Sequence, residues 1–587
     1  MTIEKLKKEM ISQAGKAFEK SFGKKPKNLK LELTPDVKFG DFSVSFFSFF
    51  MKASKELKMT PLEMAERVAG NFRSDIANAR AVGPYINIKI RNEVLFESVI
   101  SEIEKEKGNF GNSKIGQGKK VMVEYLSPNT NKPIHLGHAR NGALGMAVSN
   151  ILQSNGYEVI RAILTNDRGV HICKSMLAYS KWGGGETPES TGIKGDHFVG
   201  KWYVRYAREA EKDPGLKEEV QTMLSDWEEG RPDVLELWKK MNQWAYAGFR
   251  ETYENYGFKF DKYYFESETY KLGKDIVEEG LKKEVFRRHK DGVVYYDLPE
   301  EEFGRDEKGN VRRMVLIREN GTSVYLTQDL GTAVTRAREY DLARLIYIVG
   351  NEQAFHFKAL FKILASLGYS WAKGLYHLAH AMVYLPEGKM KSREGKVVDA
   401  DNLLAEVKRI VAEEVGRKET DISEKEIKER SAKIALGAIK FQLLRVRPMQ
   451  DIHFDPKESV AIDGFTGPYC QYAYARIAGI LRKAREKNIS PKIDYSLLGK
   501  EEELVLVQKL IEFPESVKLA AQELNPLSVA TQVFEITKAF NQFYAQHQVL
   551  GGSDQNLAAS RLALVKATAV AIKKGLSLLG IEALERM

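Results

Sequence analysis

The stretch from Val121 to Leu164 limits the fold more than any other part of the chain. Val121 to Tyr125 has the β-branched content of a short buried strand, SPNTNKP is a Pro/Asn turn, and a helix is predicted from about Gly137 through Leu152. Tyr157 to Leu164 (YEVIRAIL) reads as the next strand. A crossover of this length joins parallel strands, so the segment predicts a βαβ unit with a ligand crevice at the carboxyl ends of its strands. The parallel-sheet pattern resumes at Leu345 to Val349 (LIYIV). Between these parts lie two predicted insertions, one of charged helices over about 180–260 and one with strand-like VVYYDL over about 287–320.

The flanks have other characters. Ile3, Leu6, Met10, Ala14 and Phe18 fall at helical spacing among nine Lys and three Glu in the first thirty residues, which gives an amphipathic helix with a basic outer face. Alternation from Lys38 to Phe50 reads as extended chain, Thr60-Pro61 opens a helix, and Ala81 to Ile90 reads as a strand entered by a Gly-Pro turn. From about Asp401 onward the pattern is helical, with Val529, Val533, Ile536, Phe540 and Phe543 on one stripe. The fold class is therefore α/β: a Rossmann-like parallel-sheet domain over 119–400 with insertions, an α+β domain over 1–118, and an all-α bundle over 401–587.

Composition narrows the function. Hydrophobic residues at 43% and charged residues at 29% exclude disorder and collagen-like sequence. The 90 Lys and Arg against 80 Asp and Glu leave a net charge of +10, a modest lean toward a phosphate-bearing partner. Only Cys173 and Cys470 are present, far apart, so neither a disulfide framework nor a cysteine-based structural zinc site is expected. The opening MTIEKLKKEM lacks a signal-peptide core and no apolar run reaches bilayer-spanning length, so a cytoplasmic protein without membrane association is expected.

The strongest chemical signal is His135-Leu136-Gly137-His138, placed after a strand and a proline loop at the start of a helix. A helix N-terminus offers free N–H groups and partial positive charge, and imidazoles flanking a glycine add donors where a phosphate can approach the backbone closely. A metal pair is the weaker reading, for want of a nearby third ligand.

The surrounding SPNTNKPIHLGHARNGALG resembles the arginyl-tRNA synthetase family of class I aminoacyl-tRNA synthetases, with its HIGH-type motif. Further similar segments follow in order: YLTQDL (325–330), GNEQAFHF (350–357), GKMKSREG (388–395) and GFTGPYCQYAYARI (464–477). The resemblance spans essentially the whole chain. It implies ATP binding by His135, Gly137, His138, Lys389, Lys391 and Ser392, with His135, His138, Lys132 and Lys391 acting on the phosphates. The loop Lys389-Met390-Lys391-Ser392-Arg393 is one residue short of the family's lysine signature, and Lys132 is the second lysine candidate; both lysines have exposed-loop alternatives. It also implies that Glu124, Tyr325 and Asp329 read a guanidinium, that Asn129 and Gln353 hold the amino acid's α-amino and carboxylate groups, and that Ser127 is a further arginine-binding residue. Standing alone, Asp329 would read as a helix cap. Asp167 and His171, in TNDRGVHICKS, line the site or serve as packing or capping residues; Arg168 departs from the family's aromatic there, and Cys173 has no recognisable base.

For tRNA, Tyr469, Tyr472, Arg476 and Arg482 share one predicted helix with Tyr474, Lys483 and Arg485. Aromatics stack on splayed bases while cations meet phosphates, although a tyrosine-rich amphipathic helix is by itself more often core. The expectations are MgATP, L-arginine and tRNA(Arg) as substrates, activation that requires tRNA, no metal cofactor, and a monomer. The rivals are another HxGH nucleotidyl-transfer enzyme and a non-catalytic tRNA-binding paralogue.

Overall fold

The computed structural model describes residues 1–26, 29–385, 398–418, 422–486 and 492–587. Contacts divide these into two units: 1–112 with 461–520 and 528–587, and 113–460 with 521–527. The helices Ala400–Lys418 and Glu424–Leu444 therefore belong with the sheet unit, while the N-terminal residues and the last helices form the other.

The sheet unit is built on five parallel strands in the spatial order Leu375–His380, Arg344–Gly350, Lys120–Glu124, Glu158–Thr165, Lys262–Phe265. Lys120–Glu124, first in sequence, lies in the middle, and chain order runs outward from it on both sides. The crevice expected at such a switch point opens beyond Glu124 and Gly350. Helix Leu136–Ser154 packs close to its neighbours at two of its glycines. A Cβ on Gly145 would lie 2.2 Å from Tyr125 Cγ, and one on Gly142 would lie 2.5 Å from Phe258 Cζ. The first insertion holds Gly195–Lys212, Leu216–Glu228 and Pro232–Tyr256 around their own core of Phe198, Trp202, Val220 and Met241. The second is a small antiparallel sheet of Arg287–Arg288, Val294–Asp297 and Arg313–Ile317. A short parallel pair, Val383–Tyr384 with Ile452–His453, closes the unit.

In the other unit, helix Ile3–Phe22 buries all five of its expected apolar positions. A four-stranded antiparallel sheet runs in the order Leu31–Leu33, Phe42–Ser45, Tyr85–Ile90, Ala77–Val82. The Gly-Pro turn is thus the tip of a hairpin whose first strand already contains Ala81. The alternation read as extended chain ends at Ser45, and Phe47–Leu57 is helical. Phe46, Phe49 and Phe50 are spaced to share a helix face, and Phe46 and Phe49 meet Phe18 at centroid distances of 4.6 and 4.8 Å. Aromatic burial overrides the local strand preference there. Thr60 caps Pro61–Asn71 with a reciprocal Thr60–Glu63 box. The N-terminal part joins the last helices through Phe110 stacked on Phe513 at 5.6 Å and a Lys566–Glu104 ion pair at 3.0 Å.

Candidate active site

His135 is the N-cap of helix Leu136–Ser154. Its backbone N–H donates to His138 Nδ1 at 3.2 Å, and the two rings stack with centroids 3.8 Å apart. Because His138 Nδ1 accepts, its proton resides on Nε2 and is available to an oxygen. Burial holds His135 down to about 3 and, with His135, Lys132 and His380 adding repulsion, holds His138 well below the ordinary range. Burial thus favours the neutral, hydrogen-bonding form of both imidazoles in the free site. A Cβ on Gly137 would stand 3.1 Å from the His135 ring, so glycine gives that ring its place over the first turn.

Beside this helix start lies a cavity of about 440 Å³ lined by Asn129, Asn131, Lys132, His135, His171 and Asp399, among others. Lys132 is the cation facing it from the turn, with its pKa lowered by burial. The insertion supplies further lining residues that the sequence reading missed, His197, Lys201 and Tyr203; the Tyr203 hydroxyl lies 3.2 Å from His171 Nδ1. The expected ATP residues Lys389, Lys391 and Ser392 lie outside the described residues.

The residues expected to read the amino acid include two acids, Asp329 and Glu124. Asp329 is the fifth residue of helix Tyr325–Tyr340, whose N-cap is Val324, so the helix-cap reading does not apply to it. Its Oδ2 lies 2.6 Å from His356 Nε2, and its side chain is 35% exposed. Tyr325 is 64% exposed, and Gln353 is exposed just past the Arg344–Gly350 strand. Glu124 is different: at 5% exposure it is ion-paired with Arg336, whose guanidinium also stacks 4.4 Å from the Tyr264 ring centroid. The chain's own arginine thus occupies the partner role expected of a substrate at Glu124.

Glu266, which the sequence reading passed over, sits just beyond the strand Lys262–Phe265 at 8% exposure. Burial pushes its carboxyl up to about 7, with Arg168 opposing and Asp167 and Asp329 adding to the rise. A buried carboxyl this close to a second one has the electrostatics of a cation receptor. The signal available in sequence was its place at the carboxyl end of a strand in FESE.

Asp167 is 1% exposed and fully engaged: it accepts from Ser267 N at 2.8 Å, Ser267 Oγ at 2.6 Å and Tyr246 OH at 2.8 Å. It pins the insertion helix to the sheet. Arg168 pairs with Glu228 at 2.6 Å and stacks 4.1 Å from the Tyr270 ring centroid. Cys173 is buried and its thiol is pushed up to about 12, which makes it inert. Among the described residues, Asp196, His197 and Asp401 bring potential ligand atoms within 4.8 Å of one another. Lys194 Nζ already lies 2.6 Å from Asp401 and 3.3 Å from Asp196, supplying the charge a cation would bring.

On helix Gly467–Glu486, Tyr472 lies under the Arg476 guanidinium at 4.8 Å, and Arg476 donates to Asn541 at 3.0 Å. Tyr544, 39% exposed, flanks Arg476 at 5.6 Å. Tyr469 packs on Phe534 at 5.6 Å, Tyr474 belongs to the core at 8% exposure, and Arg482 is half-buried.

A five-stranded parallel sheet with an HxGH helix start at its switch point is the arrangement of a nucleotide-binding catalytic domain of the class I aminoacyl-tRNA synthetase kind. Comparison agrees: the family model for the catalytic domain of class I tRNA synthetases of the arginine type matches residues 99–456. The DALR anticodon binding domain matches 470–587 and the arginyl tRNA synthetase N terminal domain matches 3–90. An arginine–tRNA ligase of Treponema denticola is 43% identical over 96% of this chain and 95% of its own, and one of Porphyromonas gingivalis is 41% identical over 99% of each. The Thermus thermophilus arginyl-tRNA synthetase structure superposes with a TM-score of 0.81 at 26% identity, covering 99% of this chain and 100% of that one. The chain belongs to the arginyl-tRNA synthetase family.

Proposed function

We propose that the chain activates L-arginine with MgATP and transfers it to tRNA(Arg), with tRNA required for the first step. The observation that carries this reading is the HxGH helix start beside a cavity lined by Asn129, Lys132 and His171, in a chain that matches arginine–tRNA ligases over nearly its whole length. His135, Gly137 and His138 meet the phosphates, with Lys132 bringing charge toward the leaving pyrophosphate. The arginine carboxylate attacks the α-phosphorus, forming the adenylate as pyrophosphate departs. The 2′-hydroxyl of the terminal ribose then attacks the carbonyl and AMP leaves. No side chain becomes covalently bound; rate comes from positioning and from charge stabilised in the transition state.

In this reading Asp329, Glu266 and Tyr325 hold the guanidinium, while Ser127, Asn129 and Gln353 hold the α-amino and carboxylate groups. Glu124 serves by fixing Arg336 beneath the site. Tyr472, Arg476 and Tyr544, with Arg482 and Tyr469 alongside, form a stacking and phosphate-binding surface for the anticodon region. Among the described residues no helix is long and apolar enough to cross a membrane. We take the enzyme to work in the cytoplasm as a monomer, which sedimentation of the purified chain tests. Arginine-dependent ATP–pyrophosphate exchange, with and without tRNA, tests the activity: arginine should drive exchange only with tRNA present, and lysine should fail because an ammonium does not satisfy a fork of acceptors. Equal turnover with lysine would refute the assignment.

A further inference from the structure

The chain leaves the central strand through two consecutive non-glycine residues in the left-handed region, Leu126 at φ 76° and Ser127 at φ 41°. Side-chain-bearing residues rarely occupy this region, and they persist there only when neighbouring groups hold them. The turn redirects the chain so that Ser127 and Asn129 follow directly. Beyond it, the loop is docked on the next strand by Asn166 N–H to the Pro128 carbonyl and Thr130 N–H to the Asn166 carbonyl, each at 3.0 Å. At the turn itself, the Leu126 N–H donates to the side-chain oxygen of Asn141 at 2.6 Å.

Asn141 is 7% exposed and lies two turns into the HxGH helix. Its amide nitrogen donates to the Ile348 carbonyl at 2.7 Å and lies 3.2 Å from His380 Nε2. His380 Nδ1 lies 3.1 Å from the Ala381 carbonyl, which places its proton on Nδ1 and leaves Nε2 to accept from Asn141. One side chain thus ties the strained turn to the ends of two neighbouring strands. The adjacent Arg140 independently anchors the helix by donating to the carbonyls of Ala381, Met382, Pro448 and Gln450 at 2.7 to 3.0 Å. The helix start therefore keeps its place without Asn141; the turn keeps the Ser127 N–H to Tyr125 carbonyl bond at 3.1 Å and the Leu164 N–H to Ser127 Oγ bond at 3.4 Å but loses the side chain that holds the Leu126 N–H.

We infer that Asn141 is a positioning residue for amino-acid binding: it holds Leu126 and Ser127 in their left-handed conformation and so sets the reach of Ser127 and Asn129 toward the substrate's α-amino and carboxylate groups. This rests on the assignment of Ser127 and Asn129 to arginine made above. Glycine adopts the left-handed region freely, so Leu126→Gly relieves the strain at the residue whose N–H Asn141 holds, while Ser127 keeps its own, and the effect of removing Asn141 should shrink. A double-mutant cycle isolates the coupling.

The experiment measures KM for arginine and for ATP, and kcat, in tRNA-supported pyrophosphate exchange for Asn141→Ala, Leu126→Gly and the double variant. Asn141→Ala should raise arginine KM tenfold or more while ATP KM changes less than twofold. In the Leu126→Gly background the same substitution should raise arginine KM less than threefold. An equal factor in both backgrounds, or equal rises in both KM values, overturns the inference in favour of a general role in supporting the helix. Should Asn141→Ala not fold, Asn141→Ser, which truncates the amide without setting a charge against the Ile348 carbonyl, is measured in both backgrounds and read by the same factors. Asn129→Ala separates the two levels. If it leaves arginine KM unchanged, the substrate assignment has failed; if it raises KM while Asn141→Ala does not, the positioning role alone has failed.

Discussion

Replacing Asp329 by Asn keeps the shape of the side chain and removes the charge opposite the proposed guanidinium. Two unit charges about 4 Å apart attract by about 4 kcal/mol at an effective dielectric of about 20. Three features of the site reduce this. The Asp329 side chain is 35% exposed, and His356 Nε2 at 2.6 Å competes for the same oxygen. Glu266 remains as a second carboxylate. Screening at such exposure removes about half, leaving about 2 kcal/mol, or roughly a thirtyfold rise in arginine KM. The assay is arginine-dependent pyrophosphate exchange with tRNA, with arginine and ATP varied in turn. His138→Asn is the contrast, because a phosphate contact strengthens as charge builds in the transition state; it should lower kcat with arginine KM little changed. If Asp329→Asn left arginine KM within twofold, or if both variants shared one kinetic signature, the assignment of Asp329 to the guanidinium would be wrong.

Glu266 makes arginine binding pH-dependent: with its carboxyl at about 7 in the free enzyme, it must lose a proton to pair with a guanidinium, so arginine KM should rise as pH falls from 8 to 6. Glu266→Gln should flatten that profile, and an unchanged profile would remove Glu266 from the site. Arg476→Ala should weaken tRNA binding and reduce the slope of log affinity against log salt by about one, measured by filter binding. Cutting the chain after Asp455 is a poorer test, because Phe513 and Lys566 complete the unit that holds the N-terminal residues. Gly145→Ala would force a Cβ to 2.2 Å from Tyr125 Cγ, and overpacking of about 1–3 kcal/mol should lower the thermal midpoint by several degrees. Cys173 should resist iodoacetamide at pH 8 in the folded enzyme, and rapid labelling would contradict its burial.

What the linear chain determined by itself is whatever depends on neighbours in sequence. The HLGH helix start was legible because a strand, a proline turn and a helix onset occupy adjacent residues, and N-terminal helix chemistry acts within one turn. The Thr60-Pro61 helix start was legible for the same reason. Tertiary structure alone decided the partners of buried charges, since desolvation pairs whichever groups the fold brings together. Glu124 meets Arg336, 212 positions away, and so has an internal partner in place of a substrate contact. Asp167 is occupied by Ser267, 100 positions on, and by Tyr246, while Glu266 comes beside Asp329 only because their elements meet at one end of the sheet. The Phe47–Leu57 helix belongs to this second group too. Its sequence alternates like a strand, but the preceding Phe46 and the helix's own Phe49 gain more by packing on Phe18 than extended chain would give them, and that gain exists only once Ile3–Phe22 lies alongside.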